Sequence, residues 1–188
     1  MKKLFFAFLV STLAFTARAD SKNILFETDT DNAISIYVAQ GTGPGSLLKL
    51  IYPGKWDFSP MTLLMVEYSQ PMTIFRMPAR MNVGLVQNMA YHSNGGRGVS
   101  FVAGGISWDI TLLWWRGFYL GAGVGPYMRD SYDEYVSSRL VFGERFFIGK
   151  NIADNFHMEL FTMHFSNGDF TPVNRGFNYA GLMARYSF

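Results

Sequence analysis

The sequence predicts an all-β fold, an eight-stranded antiparallel transmembrane β-barrel, and three observations support this prediction. Short segments of alternating apolar and polar residues follow one another between turn residues, and no helical period is sustained. Aromatic residues make up 17% of the chain and charged residues only 16%, a balance typical of a surface that meets lipid. After an N-terminal export signal, no apolar run is long enough for a membrane-spanning helix, so strands are the remaining way to cross a bilayer.

The first 19 residues have the pattern of a secretory signal peptide. Two lysines precede an apolar stretch from 4 to 14, and Ala17-Arg18-Ala19 offers small residues for a cleavage site. We therefore expect residues 1–19 to be removed and residues 20–188 to form an outer-membrane barrel domain. The removed segment carries three of the 16 basic residues, which leaves 13 against 14 acidic residues. The basic balance of the whole chain is thus no argument for a nucleic-acid partner.

Eight segments are predicted as strands, and their number is even, as in bacterial barrels. They are residues 32–41, 60–69, 79–91, 99–113, 117–128, 137–149, 155–166 and 177–188. Long polar or Gly/Pro-containing connections follow the first, third, fifth and seventh strands, at 42–59, 92–98, 129–136 and 167–176. Since long loops of such barrels face outside and short turns face the periplasm, these four are expected outside. Tight turns are expected near 114–116 and 150–151, whereas the connection at 70–78 is longer than a tight turn.

The last strand predicts which of its faces meets lipid. Phe188 ends the chain with aromatic or apolar residues at alternate positions before it, a pattern that resembles the C-terminal signature of outer-membrane barrels. A period of two puts Leu182 and Asn178 on the face of Phe188 and turns Arg185 into the interior. The glycine-rich run at 121–125 is expected within the fifth strand, where it leaves room inside a narrow barrel.

The seventh strand contains the candidate chemistry. Because a charge is costly in lipid, the face that carries Glu159 is expected inside the barrel. His164 and Ser166 then lie on the outer face, near the outer end of the strand. A serine hydroxyl becomes a strong nucleophile when an adjacent base takes its proton. The sequence therefore offers Ser166 as nucleophile and His164 as base, although polar residues that merely meet lipid headgroups have the same spacing.

Such a base also needs a group that orients it, and two candidates remain open. If the last hairpin centres near residue 171, His164 lies opposite Asn178, whose amide oxygen can accept a hydrogen bond. The second candidate is Glu144, which shares the outer face of the sixth strand with Phe142 and Phe146. A carboxylate facing lipid is costly without a role or a partner.

The segment His164-Phe165-Ser166-Asn167, followed by Asn174 and Gly176, resembles the lipid A 3-O-deacylase (PagL) family. That family carries a His-x-Ser-Asn motif near the end of the penultimate strand of its barrel, with the Ser as nucleophile and the His as base. The resemblance covers the whole barrel length, but its specific motif spans only residues 164–178.

On the preceding strand, Phe142 and Glu144 match an aromatic and an acidic position of the family. Members with a defined triad have a Glu where this chain has Asn178. The resemblance therefore assigns the nucleophile and the base and leaves the orienting group open between Asn178 and Glu144.

The resemblance implies hydrolysis of the ester at the 3-position of lipid A, in the lipopolysaccharide of the outer leaflet. The reaction would form an acyl-enzyme, which water then hydrolyses to release a 3-hydroxy fatty acid. The backbone N–H groups of Asn167 and Gly168 and the side chain of Asn174 are candidates for stabilising the oxyanion, although Asn167-Gly168 equally suits a simple turn. No metal or other cofactor is implied, because no cluster of His, Asp or Glu has ligand spacing. The expected partners are lipopolysaccharide and outer-membrane lipids, with a homodimer as a candidate assembly and no nucleic acid.

Two other functions remain alternatives. The first is a non-catalytic small barrel that serves as an adhesin or a structural anchor. The second is another lipid A-modifying barrel, an acyltransferase, which would add an acyl chain. A porin is the least favoured, since eight strands leave an interior that side chains fill.

Overall fold

The computed structural model of the chain describes residues 31–47, 49, 52–91 and 99–188. The expected signal peptide, residues 1–19, lies outside the described residues, as does the expected loop 92–98. The signal peptide therefore stays a prediction.

The described residues form eight antiparallel strands that close into a barrel, with each strand paired to its neighbours in sequence and the last paired to the first. The strands are β1 (Ala33–Gly41), β2 (Met61–Ile74), β3 (Met77–Ala90), β4 (Phe101–Trp115), β5 (Phe118–Arg129), β6 (Leu140–Ala153), β7 (Phe156–Ser166) and β8 (Phe177–Ser187). The predicted fold class is confirmed. A short 3₁₀ helix, Pro53–Lys55, lies in the first long connection, and no helix of the described residues is long and apolar enough to span a membrane.

The connection at 70–78, which we expected to be long, is a tight turn. β2 and β3 stay paired up to the turn residues Phe75 and Arg76, whose φ angles are 50° and 66°. Two-residue turns with positive φ match the right-handed twist of a hairpin. Pro71 interrupts the sequence pattern of a strand, but it lies in β2 beyond the residues that pair with β1, where proline is tolerated.

The other two tight turns differ in how well the sequence located them. The turn between β4 and β5 falls at Arg116 and Gly117, within one residue of the expected position. The turn between β6 and β7 falls at 154–155, so the expectation of 150–151 was wrong. β6 runs on to Ala153, with an irregular register after Asn151.

The strands separate an interior face from an outer face as the sequence predicts. On β8, Leu182 and Tyr186 are exposed whereas Met183 and Arg185 are buried. On β7, Leu160 is exposed and Glu159 is buried. The predicted faces of both strands are confirmed, which sets His164, Ser166 and Asn178 on the outer side of the barrel wall.

The interior is held by paired charges as well as by apolar packing. Arg145 forms ion pairs with Glu67, at 3.2 Å, and with Asp109. The Tyr37 hydroxyl donates to Glu67 at 2.5 Å. Buried charges are tolerated when they are paired and hydrogen-bonded. The glycines of β5 make room for this cluster, since a Cβ at Gly123 would overlap the Asp109 carboxylate.

At the opposite end from the three tight turns, Arg129 anchors the long loops to the interior. Its guanidinium lies over the rings of Phe101 and Phe177, at 4.8 and 5.6 Å from their centroids. It also pairs with Asp133 at 2.9 Å and donates to the Val136 carbonyl at 3.1 Å. The loop after β5 is thereby fixed against β8.

Backbone hydrogen bonds then join three loops to one another. The N–H of Arg175, in the loop after β7, donates to the Tyr135 carbonyl at 2.7 Å. The carbonyl of Arg175 accepts from Gly45, in the loop after β1, at 2.9 Å. The loops after β1, β5 and β7 therefore cover the outer ends of β6, β7 and β8.

Candidate active site

The loops bury two residues that the strand pattern places on the outer wall. Ser166 and His164 have exposed fractions of 6% and 5%, whereas Leu160, on the same face of β7, is 62% exposed. Both residues line a cleft of about 780 Å³. Its walls come from β6, β7, residues 44–47 of the first loop and the loop after β7. A hydroxyl and an imidazole are thus enclosed together beside the lipid-facing surface.

Ser166 and His164 stand two residues apart on one face of an extended strand. This spacing separates their Cα atoms by about 7 Å, a span that the two side chains can bridge. Within the described residues they are not hydrogen-bonded to each other. Catalytic hydrogen bonds are often long before substrate binds and tighten in the substrate complex.

Asn178 is the partner of His164 across β7 and β8, and this predicted register is confirmed. The Nδ1 atom of His164 lies 2.7 Å from the Oδ1 atom of Asn178. The Asn178 amide nitrogen donates to the Gly45 carbonyl at 3.3 Å, so its oxygen is turned toward the imidazole. Nδ1 therefore carries the proton, and Nε2 keeps the lone pair that a base needs.

A glycine holds the imidazole from the side of the loop. Gly176 has a φ of 68°, in the left-handed region that glycine favours. A Cβ at this position would collide with the His164 ring. Gly176 thus lets the loop lie directly against the imidazole.

Glu144 lies on the other side of His164, as its register partner across β6 and β7. It lines the cleft, and in the described residues it forms no hydrogen bond to His164. One of its oxygens, Oε2, is shut off from solvent without a donor. His164 therefore stands between two candidate orienting groups, of which Asn178 makes the hydrogen bond.

The loop after β7 is organised by Asn167, which is fully buried. The Asn167 side chain donates to the Thr171 hydroxyl and, at 2.9 Å, to the Val173 carbonyl. Its Oδ1 accepts the N–H of Asp169 at 2.9 Å. These contacts fold residues 167–174 into a tight loop next to Ser166.

The three oxyanion candidates differ in what their N–H groups contact. The backbone N–H of Gly168 is directed at the Ser166 Oγ, 3.4 Å away. The backbone N–H of Asn167 donates to the Asn174 Oδ1 at 3.0 Å. The Asn174 amide nitrogen donates to Asp169 at 2.8 Å. Only the Gly168 N–H, of these three, points at the candidate nucleophile.

Sequence reasoning missed the contribution of two residues to this site. Gly45 supplies the carbonyl that orients Asn178, yet it lies 133 residues away in the chain. Phe170 pairs with Phe142, at 5.8 Å between ring centroids, and the two rings flank Gly168. A glycine in a long loop, such as Gly45, gives no local signal of such a contact. Phe170 does give one, because it is an aromatic residue in an otherwise polar loop.

A closed barrel with a serine and a histidine in a cleft on its lipid side has the architecture of an outer-membrane lipid hydrolase. Residues 81–187 match the family model described as lipid A 3-O-deacylase (PagL). Because the match spans more than half of the sequence and includes the cleft residues of β6, β7 and the loop after β7, the chain belongs to the lipid A 3-O-deacylase family. The resemblance that the sequence suggested is confirmed, and the chain is an ester hydrolase of lipid A in the outer membrane.

The fold comparison agrees. The crystal structure of the outer membrane enzyme PagL superposes on this chain with a TM-score of 0.54 and 12% identity. The superposition covers 84% of this chain and 99% of that chain. A search of curated proteins finds no match. Nothing in these comparisons favours a non-catalytic barrel or an acyltransferase.

Proposed function

We propose that the chain is a serine esterase in which Ser166 attacks the ester at the 3-position of lipid A and His164 is the base. The observation that supports this most directly is the 2.7 Å contact of His164 Nδ1 with Asn178. It leaves Nε2 as the acceptor in a cleft that also contains the Ser166 hydroxyl. A serine, a base and a group that orients the base are the three parts that nucleophilic ester hydrolysis needs.

The reaction proceeds in two steps. His164 Nε2 takes the Ser166 proton as Oγ bonds to the ester carbonyl carbon, and the resulting intermediate carries an oxyanion. The bond to the sugar oxygen breaks, and His164 returns the proton to that oxygen. Water then attacks the acyl-enzyme with His164 again as base, which releases a 3-hydroxy fatty acid and restores the serine.

Asn178 is the orienting residue in this proposal. Its amide oxygen accepts from Nδ1–H, and its own nitrogen is held by the Gly45 carbonyl. An Asn in this role fixes the tautomer and the ring orientation, as in Cys-His-Asn sites. Glu144 lacks a hydrogen bond to the imidazole in the described residues, so we assign it no orienting role.

The Gly168 N–H is the proposed oxyanion donor. It points at Ser166 Oγ from 3.4 Å, so an oxygen on a carbon bonded to Oγ comes within its reach. Donors already aimed at the developing charge stabilise the transition state without reorganisation. Asn167 and Asn174 support this donor by shaping the loop.

The outer wall supports access of substrate from the bilayer. Below the cleft, Phe146, Ile148 and Leu160 form an exposed apolar surface on β6 and β7, along which acyl chains can lie. Arg175, at the cleft rim, can pair with a lipid A phosphate. Every step uses residues of a single chain, so the reaction requires no second copy, and the homodimer stays a prediction.

Mass spectrometry of lipid A from expressing cells tests the proposal. Cells with the wild-type chain should lose one hydroxyacyl chain from lipid A, and cells with Ser166→Ala should not. Ser131→Ala is the matched control, because that serine lies in a neighbouring loop and bonds to Asp130. Deacylation by the Ser166→Ala variant, at equal surface expression, would refute Ser166 as the nucleophile.

A further inference from the structure

Phe170 is an exposed aromatic residue in the loop after β7, between Asp169 and Thr171. It is 56% exposed, and it lines the cleft that contains Ser166 and His164. The proposed function assigns no role to its ring. An exposed ring beside a catalytic cleft still has a large apolar area to bury, so it is a candidate for binding a part of the substrate.

The ring of Phe170 is held in place although it is exposed. The backbone N–H of Phe170 donates to the Asn167 carbonyl at 3.2 Å, and the N–H of Asp169 donates to the Asn167 side chain at 2.9 Å. The ring itself packs against Phe142, with 5.8 Å between centroids and an angle of 51° between the ring planes. Because these contacts already order the ring, a ligand that binds to it loses little conformational entropy.

Gly168 connects this ring to the proposed nucleophile. Its backbone nitrogen lies 3.4 Å from the Ser166 Oγ, and a Cβ on it would lie 3.5 Å from the Phe170 ring. Since the nitrogen and the Cβ of one residue are about 2.5 Å apart, the edge of the ring is at most about 9.5 Å from Oγ. A sugar joined to the attacked carbon through its ester oxygen extends about 6 Å from Oγ, and van der Waals contact adds about 3.5–4 Å. The alcohol half of the ester can therefore touch the ring.

The position of Phe170 favours the sugar of the substrate over its acyl chain. The acyl chain belongs in the bilayer, along the exposed apolar wall of Phe146 and Leu160, whereas Phe170 lies in a loop at the outer end of the barrel. Polar groups adjoin the ring in the cleft, where the Asn174 amide donates to the Asp169 carboxylate at 2.8 Å. A hydrocarbon chain would desolvate that carboxylate at a cost. A sugar has an apolar C–H face for the ring and hydroxyls for its polar neighbours.

We propose that Phe170 stacks on the glucosamine ring whose 3-hydroxyl is the leaving group, an inference that rests on the proposed function. The face of an aromatic ring is electrically negative and attracts the weakly positive hydrogens of the sugar C–H groups. Burial of the two apolar faces adds to this attraction. Phe170 is thus a residue that determines specificity for the alcohol half of the ester, and it takes no part in proton transfer.

Two esters of one fatty acid test this role. The full chain, folded in detergent micelles, is given 3-hydroxytetradecanoic acid esterified either to the 3-hydroxyl of a glucosamine lipid or to ethanol. Phe170→Ala should lower kcat/KM for the glucosamine ester by about 3- to 10-fold and leave the ethyl ester unchanged. The loss should lie in KM, because the sugar is stacked before and during the reaction. Phe170→Trp should retain the preference, since it keeps an aromatic face. Tyr132→Ala is the control, because it removes an exposed ring from the loop after β5.

Product inhibition gives a second measurement that does not depend on the ethyl ester. The glucosamine lipid with a free 3-hydroxyl should inhibit Phe170→Ala about 3- to 10-fold more weakly than the wild type. Unchanged inhibition would overturn the proposal, as would an equal loss on both esters, which would show that the ring only supports the catalytic loop. Cleavage of neither ester by the wild type would instead contradict the proposed function. Heat-dependent mobility in gel electrophoresis checks that each variant is folded.

Discussion

His164 and Asn178 face each other across β7 and β8, and the Nδ1 atom of the imidazole lies 2.7 Å from the amide oxygen. The family motif that the sequence resembles has a glutamate where this chain has Asn178. In this chain a neutral amide, in place of a carboxylate, accepts the hydrogen bond from the imidazole. The two differ in one respect, because a carboxylate also stabilises the imidazolium that forms during catalysis.

Substitution of Asn178 should separate orientation from charge. Asn178→Ala removes the acceptor for Nδ1–H, and kcat/KM should fall by about 100-fold or more, since a misoriented imidazole in a serine triad costs up to about 10⁴-fold. Asn178→Glu should keep or raise kcat/KM, because it supplies the carboxylate. Rates of ester cleavage by the purified barrel measure both. If Asn178→Ala retains full activity, the orienting group is elsewhere, and Glu144 becomes the first alternative.

Gly176→Ala should displace the His164 ring. The added Cβ would collide with that ring, and the φ of 68° disfavours any side chain. A shift of about 1 Å at a catalytic group can lower the rate by about 100-fold, so kcat should fall to this extent. Gly54→Ala is the control, since a Cβ there has open space around it. An unchanged kcat in Gly176→Ala would argue against His164 as the base.

Asn167→Ala should weaken oxyanion stabilisation through the loop. Asn167 holds the fold of the loop that aims the Gly168 N–H at Ser166. The loss of one oxyanion donor lowers kcat by about 100-fold or more, and we expect a loss of this order with KM little changed. Asn155→Ala, in the turn at the other end of the barrel, should leave both constants as they are. An increase in KM alone would point to substrate binding instead.

Arg145→Met should destabilise the barrel by leaving Glu67 and Asp109 buried without their cation. Breaking a buried ion pair in this way costs about 3–5 kcal/mol. Urea unfolding in lipid vesicles measures the free energy of unfolding. The control, Lys150→Met, removes an exposed cation from the same strand and should change that free energy by about 0.5 kcal/mol or less. An equal loss in the two variants would contradict the interior role of Arg145.

The wall of the barrel was more predictable from sequence than its covering loops. A strand repeats every two residues, so Glu159 on one face determined where His164 and Ser166 lie. A hairpin pairs residues symmetrically about its turn, which located Asn178 opposite His164. The same reasoning missed the tight turn at Phe75 and Arg76, because Pro71 resembles a strand end although it lies where proline does no harm.

The burial of the site followed no local pattern. A period of two gives His164 the same exposure as Leu160, yet the loops cover the first and leave the second open. The contacts responsible join Gly45 to Arg175 and Arg175 to Tyr135. Such contacts depend on where distant segments meet once the barrel is closed, and the residues themselves have no distinctive spacing.

The seam between the first and last strands has a consequence for when activity arises. The N–H of Thr42, just after β1, donates to the carbonyl of Asn178 on β8 at 2.7 Å, and Gly45 holds the Asn178 side chain. The proposed site of Ser166, His164 and Asn178 is thus complete only when the first and last strands of the barrel pair. A chain still unfolded on its way to the membrane holds the serine and the histidine but not their arrangement. Folding of the barrel in the membrane is therefore required for activity. The chain is inactive until it lies in the bilayer that contains its substrate.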